Sequence, residues 1–391
     1  MNLDFGPAAE ALRIEVRVWL KDNWKPEDAK ARRDQLPEFR NRSDDFSKKL
    51  GKKGWLGIGW PKEYGGLGKN YIEQLAFHEE MGYNRAPMGK HLMAVNIVGP
   101  TLMKVGSEYL KKEYLPRILR GEIQTCIGYS EPHAGSDLAS LETRAVEDGD
   151  DYVINGTKMW TTGAQDSQIC FMGARTDPDK AKHKGVSLFI IPMETPGITI
   201  RPIECLGGLR TNQTFWENVR VNKRQMVGER GMGFYNIAVA LDFERVMIGS
   251  HVAGYRRTYD DLVKLCRQTK LDGRPVLSDP IVRNRLADIA TDLHVARLLT
   301  FKVMWMIDNG QVPNYEASMT KVLSSELQVR MVHTSMSLLG PTGALYEGSK
   351  HAPLDGQLTW IYESSLLGTI GGGANEIQRN IIAQRGLGMP R

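Results

Sequence analysis

Residues 126–145, CIGYSEPHAGSDLASLETRA, mark the point where the character of the chain changes. Upstream, the apolar residues have helical spacing. Downstream, the chain breaks into short segments rich in β-branched and aromatic residues, separated by Gly, Pro, Asn and Asp. Five of these segments are predicted strands: DYVINGTKMWTTGA (151–164), QICFMGART (168–176), VSLFIIPM (186–193), GITIRPIE (197–204) and TFWENVRVN (214–222). We therefore predict an antiparallel sheet domain, a small barrel or sandwich, over residues 124–232.

The segments on either side of this sheet are predicted to be helical. In AAEALRIEVRVWLKDNW (8–24), Leu12, Val16 and Leu20 recur every four residues and share one helix face. Beyond residue 233, four further segments have helical spacing: 233–266, 279–307, 315–340 and 375–388. The predicted fold is α+β, with an N-terminal all-α domain (1–123), a middle β domain (124–232) and a C-terminal four-helix bundle (233–391).

Composition excludes several classes of function. The 391 residues are 41% hydrophobic and 25% charged, and the net charge of +5 is spread along the chain, so we expect no nucleic-acid partner. The four cysteines fit no zinc or CxxC spacing, which predicts no metal site and a reducing, cytoplasmic location. The longest apolar run, 186–193, is too short to span a bilayer, so we expect no membrane insertion.

Two segments carry candidate binding chemistry. Around Gly135, the hydroxyls of Ser130 and Ser136 and the open backbone would suit a flat ring or a phosphate, although a plain polar loop would have the same composition. In NGTKMWTTGA (155–164), we predict a strand that leaves a turn at Asn155 and Gly156, with Trp160 and Thr162 on one side at period two. Trp160 could stack on an aromatic cofactor, or it could be an ordinary core residue. These segments alone leave both alternatives open.

Four segments taken together resemble the acyl-CoA dehydrogenase family. SEPHAGSD (130–137) and NGTKMWTT (155–162) are similar to its middle-domain motifs. GWLGIGWPKEYGG (54–66) is similar to its N-terminal signature and GTIGGGANEIQRN (368–380) to its C-terminal one. The resemblance spans essentially the whole chain, in order, and implies the same three-domain fold.

The resemblance implies a flavoprotein that uses FAD to oxidise an acyl-CoA thioester to 2,3-enoyl-CoA. It also implies an electron-transfer flavoprotein or similar acceptor, a homo- or hetero-tetramer, and a role in fatty acid or steroid side-chain β-oxidation.

The resemblance also assigns residues to the cofactor. Ser130 and Thr162 match positions that hydrogen-bond the flavin, and Trp160 matches the indole packed beside it. Ser136 matches a contact to the FAD pyrophosphate or to the CoA arm. Five further positions match residues near the cofactor, some of which bind the FAD of a neighbouring subunit: Arg267, Ser337, Gly340, Gly373 and Asn375. At Ser337 and Pro341 the sequence departs from the family's Gln and Gly.

The reaction needs a positioned base, because the α-proton of a thioester is only weakly acidic. Many family members carry a glutamate for this purpose in the C-terminal signature, but the matching residue here is Gly372. A minority place the base on the first long helix of the C-terminal domain, directly before an arginine, where this chain has Glu244 and Arg245. We therefore predict that Glu244 takes the α-proton while the β-hydride passes to flavin N5. A structural ion pair of Glu244 with Arg245 or with a neighbouring helix is the alternative.

Three further residues complete the predicted site. The N–H of Gly372 is expected to donate to the thioester carbonyl, and the missing side chain leaves room for substrate. Asp242 and Arg245 match positions that touch CoA in relatives.

Two other functions remain open: a supporting subunit that holds FAD or CoA in a hetero-oligomer, and a flavin monooxygenase or oxidase on the same scaffold.

Overall fold

The computed structural model describes residues 4–25, 37–87, 89–244, 248–271 and 273–390. Side chains at 37–41, 89–90, 239, 241–244, 248–250 and 271 are outside that description. The described chain forms an N-terminal helical domain, a middle β domain and a C-terminal helical domain, which confirms the predicted fold class.

The N-terminal domain is built from helices that precede the first strand: α1 (Gly6–Asn23), α2 (Pro37–Lys52), α3 (Tyr71–Tyr83), α4 (Gly89–Met93), α5 (Gly99–Val105) and α6 (Glu108–Leu119). A π-helical turn, Ala94–Val98, joins α4 to α5. The predicted stripe of α1, Leu12, Val16 and Leu20, is buried. Helix α3 starts at a reciprocal capping box between Asn70 and Glu73, which satisfies two backbone N–H groups of its first turn.

Seven strands of the described chain form one sheet: β1 (Thr125–Gly128), β2 (Arg144–Asp148), β3 (Asp151–Lys158), β4 (Ile169–Arg175), β5 (Val186–Pro192), β6 (Ile198–Glu204) and β7 (Arg210–Asn222). Their order is β1-β4-β2-β3-β7-β6, with β5 also paired to β4. The predicted all-antiparallel sheet is wrong at two pairings, because β1 and β2 both run parallel to β4. Strand β1 pairs with the first half of β4, and β2 pairs with its last residue. The connection 129–143 joins β1 to β2, and the chain runs in the same direction in both strands.

The third strand also differs from the prediction. Asn155 and Gly156 lie inside β3, at a shift in its register with β7, and not in a turn. A Cβ on Gly156 would sit 2.5 Å from Thr143 Oγ1, so glycine is needed there for close backbone approach. The strand ends at Lys158, before Trp160, whose φ of 61° is left-handed and incompatible with a continued strand.

Strands β4 and β5 are buried on both faces. Ile169 and Phe171 join the core of the N-terminal domain, while Cys170 and Met172 join a second core shared with β3 and β7. This double burial explains the nearly continuous apolar sequence of both strands. By contrast, β6 pairs only with β7, and an edge position of this kind tolerates its Pro202.

The C-terminal domain contains α7 (Gly233–Glu244), α8 (Ile248–Gln268), α9 (Pro280–Asp308), α10 (Tyr315–Leu339), α11 (Gln357–Ser364), α12 (Leu367–Ile370) and α13 (Asn375–Ile381). Helices α8, α9 and α10 pack on one another, α13 packs on α10, and α7 packs on β4 and β5. A short hairpin, β8 (Lys270–Leu271) and β9 (Arg274–Pro275), follows α8. The last predicted helix, 375–388, is confirmed over α13 and the π-helical turn Ile382–Gly386 that continues it, and α11 and α12 were not predicted.

Helix α3 joins the N-terminal and C-terminal domains. It packs against both α8 and α9. The carboxylate of Asp308, at the end of α9, accepts hydrogen bonds from the N–H groups of Tyr71 and Ile72 at 2.7 and 3.1 Å. Glu79 accepts from Arg297 at 2.7 Å. Within the described residues, no helix has the length and apolar character needed to cross a membrane.

Candidate active site

A buried ion pair fixes the two middle-domain motifs to each other. Glu131, 4% exposed, lies in the first motif, and Lys158, fully buried, lies in the second. Lys158 Nζ donates to Glu131 Oε1 at 2.8 Å and to the carbonyl of Tyr129 at 3.2 Å. The carboxylate also accepts from the N–H groups of Glu142 and Thr143 at 2.6 and 2.9 Å. The pair therefore ties both ends of the 129–143 loop to strand β3.

Burial and pairing act against each other at these two groups. Burial alone would raise the pKa of Glu131, but Lys158 and the hydrogen bonds outweigh it, so the pKa is lowered and the carboxylate stays charged. Complete burial lowers the pKa of Lys158, and Glu131 opposes that effect. Neither residue had a role predicted from the sequence. The available signal was the alternation of β3, which places Lys158 on the same side as the buried Tyr152 and Ile154.

The residues just beyond β3 gather a group of polar and aromatic side chains, here called the sheet-edge cluster: Ser130, Trp160, Thr162 and Thr211. Met159 donates its N–H to the carbonyl of Ser130 at 2.9 Å, which aligns the two motifs. The hydroxyl of Thr162 lies 3.0 Å from that of Thr211 on β7. The structure thus brings together three predicted cofactor residues, Ser130, Trp160 and Thr162, and adds Thr211.

An asparagine of β7 holds the backbone of this cluster. Asn212 is fully buried, and its carbonyl accepts from the N–H of Thr161 at 2.8 Å. Its Nδ2 donates to the carbonyl of Thr161 at 3.0 Å and to Gln165 Oε1 at 2.7 Å. Trp160 and Thr162 therefore project from a segment fixed to the sheet. No signal in the sequence pointed to Asn212.

The indole of Trp160 is 55% exposed, so the alternative that it is a core residue is wrong. Its left-handed backbone turns the side chain away from the path of the strand. Large aromatic side chains are usually largely buried. A half-exposed indole on a rigid segment, beside a threonine hydroxyl, has the geometry of a stacking surface.

The loop between Ser136 and Leu141 presents small polar residues to solvent. Ser136 is exposed, and a Cβ added to the neighbouring Gly135 would meet open space. The guanidinium of Arg175 supports the loop by donating hydrogen bonds to the carbonyls of Ala139 and Leu141 at 2.6 and 2.8 Å. The predicted contact from Ser136 to a pyrophosphate or to CoA is sterically open and remains a prediction.

The glycine turn, Gly371–Ala374, links α12 to α13 and is held from both sides. Gly372 and Gly373 have φ values of 65° and 90°, which favour glycine at both positions. Asn375 is 2% exposed, and its Oδ1 accepts from Lys321 Nζ at 2.7 Å. Lys321 also donates to the carbonyl of Thr369 at 3.3 Å. Helix α10 therefore fixes the turn by contacts before and after it.

Three predicted cofactor residues lie elsewhere on the C-terminal domain. Arg267 is exposed in the last turn of α8. Ser337 accepts from Arg285 at 3.1 Å near the end of α10, and Gly340 ends that helix. Ser337 is 16 residues along α10 from Lys321, about 24 Å at the rise of an α-helix. The structure therefore does not place these residues beside the glycine turn of the same chain.

The predicted base and its neighbours lie outside the described side chains. Glu244 is the last described residue of α7, and its side chain and that of Asp242 are not described. Arg245 is outside the described residues altogether. The roles of all three remain predictions.

A contact between domains brings the sheet-edge cluster towards the segment that leads to the glycine turn. Gly207, in the link between β6 and β7, lies against Trp360 of α11. A Cβ on Gly207 would be 3.5 Å from the Trp360 carbonyl and 3.6 Å from its Cδ1. Gly207 is four residues before Thr211 of the cluster. Trp360 Nε1 is buried without a hydrogen-bond partner among the described residues.

Three family models match the chain consecutively. They are the acyl-CoA dehydrogenase N-terminal domain at residues 6–122, the middle domain at 126–220 and the C-terminal domain at 231–387. Together they account for nearly the whole sequence, and they confirm the resemblance seen in the four motifs.

Full-length relatives agree with these matches. Acyl-CoA dehydrogenase FadE26 of Mycobacterium tuberculosis is 34% identical over 100% of this chain and 99% of that protein. A solved structure described as the Tcur3481-Tcur3483 steroid ACAD is 39% identical, with a TM-score of 0.92 and full coverage of both chains. The ChsE4-ChsE5 complex from Mycobacterium tuberculosis is 34% identical, with a TM-score of 0.90 and full coverage of both chains.

Proposed function

Because this chain belongs to the acyl-CoA dehydrogenase family of FAD-dependent oxidoreductases, we propose that it removes hydrogen from the α and β carbons of an acyl-CoA thioester. Glu244 takes the α-proton, and the product is the 2,3-enoyl-CoA. The N–H of Gly372 donates to the thioester carbonyl oxygen. Bound FAD supplies the acceptor for the β-hydrogen and its electron pair. The electrons then pass to an electron-transfer flavoprotein or a similar acceptor.

The observation that carries this proposal is the sheet-edge cluster. Trp160 offers a half-exposed aromatic face, and the hydroxyl-bearing Thr162 follows it on backbone that Asn212 fixes at Thr161. The backbone of Ser130 is held to the same segment by the N–H of Met159. A flat, polar-rimmed ring system needs such a combination of stacking surface and hydrogen-bonding groups. These residues fit a flavin.

The chain's own contribution to the chemistry is positioning and proton transfer. A carboxylate in a pocket shielded from water is a stronger base towards carbon than one in water. A backbone N–H directed at the carbonyl oxygen stabilises negative charge that develops there as the α-proton leaves. The fixed conformation of the glycine turn would keep that donor in place without reorganisation.

The proposed substrate carries a bulky acyl group, of the kind named in the relative described as a steroid ACAD. The absence of a side chain at Gly372 supports this, because it leaves space beside the thioester. Catalysis in a mixed oligomer is the second candidate, favoured by two relatives whose descriptions name paired chains, Tcur3481-Tcur3483 and ChsE4-ChsE5. In that case this chain is one of two different subunits.

The test is to express the chain alone and with candidate partner subunits, and to record the flavin absorbance after native purification. We expect a yellow protein whose flavin is bleached anaerobically by CoA esters and reoxidised by a ferrocenium-type acceptor. A protein that retains no flavin in either preparation contradicts the proposal. Flavin reduction only in the co-expressed preparation assigns the activity to a mixed oligomer.

A further inference from the structure

The guanidinium of Arg175, at the end of β4, joins two surface loops through their backbones. Its Nε donates to the carbonyl of Leu141 at 3.1 Å, and its Nη2 donates to the carbonyls of Ala139 and Leu141 at 2.6 and 2.8 Å. Its Nη1 donates to the carbonyl of Lys182 at 2.7 Å. One side chain therefore fixes the backbone of the first loop relative to that of the second.

The loops joined in this way are 135–141 and 177–185, and we refer to the pair as the two-loop rim. A second link joins them at the surface, where Lys182 Nζ donates to Ser140 Oγ at 2.7 Å. Each loop contains a short 3₁₀ turn, and the two turns pack on each other. The two-loop rim is therefore one connected unit.

Arg175 serves to orient backbone. Among the described residues, all of its side-chain hydrogen bonds go to main-chain carbonyls. Burial lowers the pKa of its guanidinium, and the negative charges of Glu131 and Glu142 oppose that effect. The planar guanidinium fixes the direction of several hydrogen bonds at once, whereas a lysine would keep the charge without this geometry.

The two-loop rim lies beside the start of the helix that ends at the proposed base. His183 of the rim contacts Tyr235 in the first turn of α7, with the ring centroids 6.0 Å apart and the planes perpendicular. Helix α7 runs from Gly233 to Glu244, a length of about 16 Å. The pantetheine arm between the sulfur of a CoA thioester and its first phosphate is roughly 15 Å long when extended. An arm that follows α7 away from Glu244 therefore brings its phosphates to the rim.

The exposed groups at the two-loop rim suit a nucleotide. Ser136 is exposed, and Gly135 leaves open space beside the backbone. Hydroxyl and backbone N–H groups are common donors to phosphate oxygens. Tyr235 is 40% exposed and offers an aromatic surface next to them. Because most of these groups lie on loops, their placement relative to one another depends on Arg175.

We propose that Arg175 is a positioning residue that holds the two-loop rim in the shape that binds the nucleotide part of CoA. It acts through the rim, so it contributes to binding of the thioester's carrier and not to proton transfer. The rim then selects thioesters by their carrier, because only a carrier with a phosphorylated nucleotide gains binding free energy there. This inference rests on the proposed dehydrogenation.

The test compares two thioesters of one acyl group: the CoA ester and the N-acetylcysteamine ester, which lacks the nucleotide. In Arg175→Gln, the KM of the CoA ester should rise about ten-fold while kcat changes by less than about two-fold, because binding common to the ground and transition states is lost. The kcat/KM of the N-acetylcysteamine ester should be unchanged. Arg175→Lys should behave like Arg175→Gln, since it keeps only the charge. Titration calorimetry with free CoA should show the same loss in Kd.

Two further variants keep the result interpretable. Ser140→Ala removes the surface link to Lys182, and should raise the KM of the CoA ester about three-fold even where Arg175→Gln folds poorly. Arg220→Gln removes an arginine that pairs with Asp148 at 2.8 Å, outside the two-loop rim, and should leave both esters unaffected.

Three results overturn this inference alone: an unchanged KM of the CoA ester in Arg175→Gln, an equal loss with both esters, or wild-type behaviour of Arg175→Lys. Failure of both esters to bleach the flavin of the wild-type protein overturns the proposed function and this inference with it.

Discussion

Lys158 shows how a single residue can decide the shape of a binding loop. Its ammonium group is fully buried, which is costly unless a partner compensates the charge. Glu131 is that partner, and its carboxylate also accepts hydrogen bonds from two backbone N–H groups at the far end of the 129–143 loop. The pair does not touch the predicted ligand positions. The ion pair fixes the positions of Ser130 and of the end of β3, just before Trp160. It therefore affects function through the placement of these residues.

Removing the positive charge should therefore be more damaging than removing both charges. Lys158→Met leaves Glu131 buried and unpaired, and we expect a loss of about 3–5 kcal/mol in unfolding free energy. The double variant Glu131→Gln/Lys158→Met should recover most of this loss. Urea denaturation followed by tryptophan fluorescence measures both. If the double variant is no more stable than Lys158→Met, the uncompensated charge is not the cause.

At the proposed base, Glu244→Gln keeps the size and hydrogen-bonding capacity of the side chain but cannot accept the α-proton. A positioned general base contributes about 10²–10⁴ in rate, so flavin reduction should slow by at least that factor while FAD and CoA ligands still bind. Stopped-flow absorbance of the flavin measures this step. The matched control is Glu376→Gln in the first turn of α13, where a far smaller effect is expected. Reversed phenotypes would place the base in the C-terminal signature.

Among the elements, strand β3 matters most for the candidate site because of where it stops. The left-handed backbone at Trp160 ends the strand and directs the indole outward, while Asn212 of β7 holds the next residue in place. The end of β3 thus places Lys158 in the core, and the residues just after it place Trp160 at the surface. Helix α10 has a comparable role for the glycine turn, through Lys321 and its hydrogen bonds to Thr369 and Asn375.

The two tryptophans of this region should respond differently to truncation. Trp160→Ala removes a half-exposed ring, so FAD should dissociate about ten-fold more readily while the thermal midpoint hardly changes. Trp216→Ala removes a ring that is 1% exposed, and should cost about 3–5 kcal/mol of stability. FAD dissociation is measured by flavin fluorescence, and stability by thermal unfolding of the apoprotein. Equal loss of stability in both variants would assign Trp160 a structural role.

At the scale of the whole molecule, the predicted cofactor residues divide into separate groups within one chain. Ser337 is about 24 Å along α10 from Lys321, which holds the glycine turn. A FAD that used both groups would draw on more than one chain, as the family resemblance implied for Arg267. The C-terminal end also exposes several large apolar side chains: Leu366, Leu367, Ile370, Leu387 and Met389. Exposed apolar side chains close together in the chain, as at 366–370, are typical of a surface that contacts another chain.

We therefore expect an oligomer that depends on this surface. Leu367→Glu combined with Ile370→Glu should lower the assembly state and reduce FAD retention. Light scattering coupled to size-exclusion chromatography measures the first, and the flavin-to-protein ratio measures the second. Val312→Glu introduces the same charge at another exposed apolar residue and should change neither. A wild-type monomer with full FAD occupancy would contradict the shared-site interpretation.

The sequence by itself determined the three-domain order, the helical stripe of α1 and most of the strands, because each depends on local periodicity and on turn residues within a short window. It also identified the motif residues that the structure gathers at the sheet edge. It did not determine the parallel pairing of β1 and β2 with β4, the burial of Glu131 against Lys158, or the exposure of Trp160. Only the tertiary structure decided these, because each depends on segments 20 or more residues apart that approach one another when the sheet closes around its core.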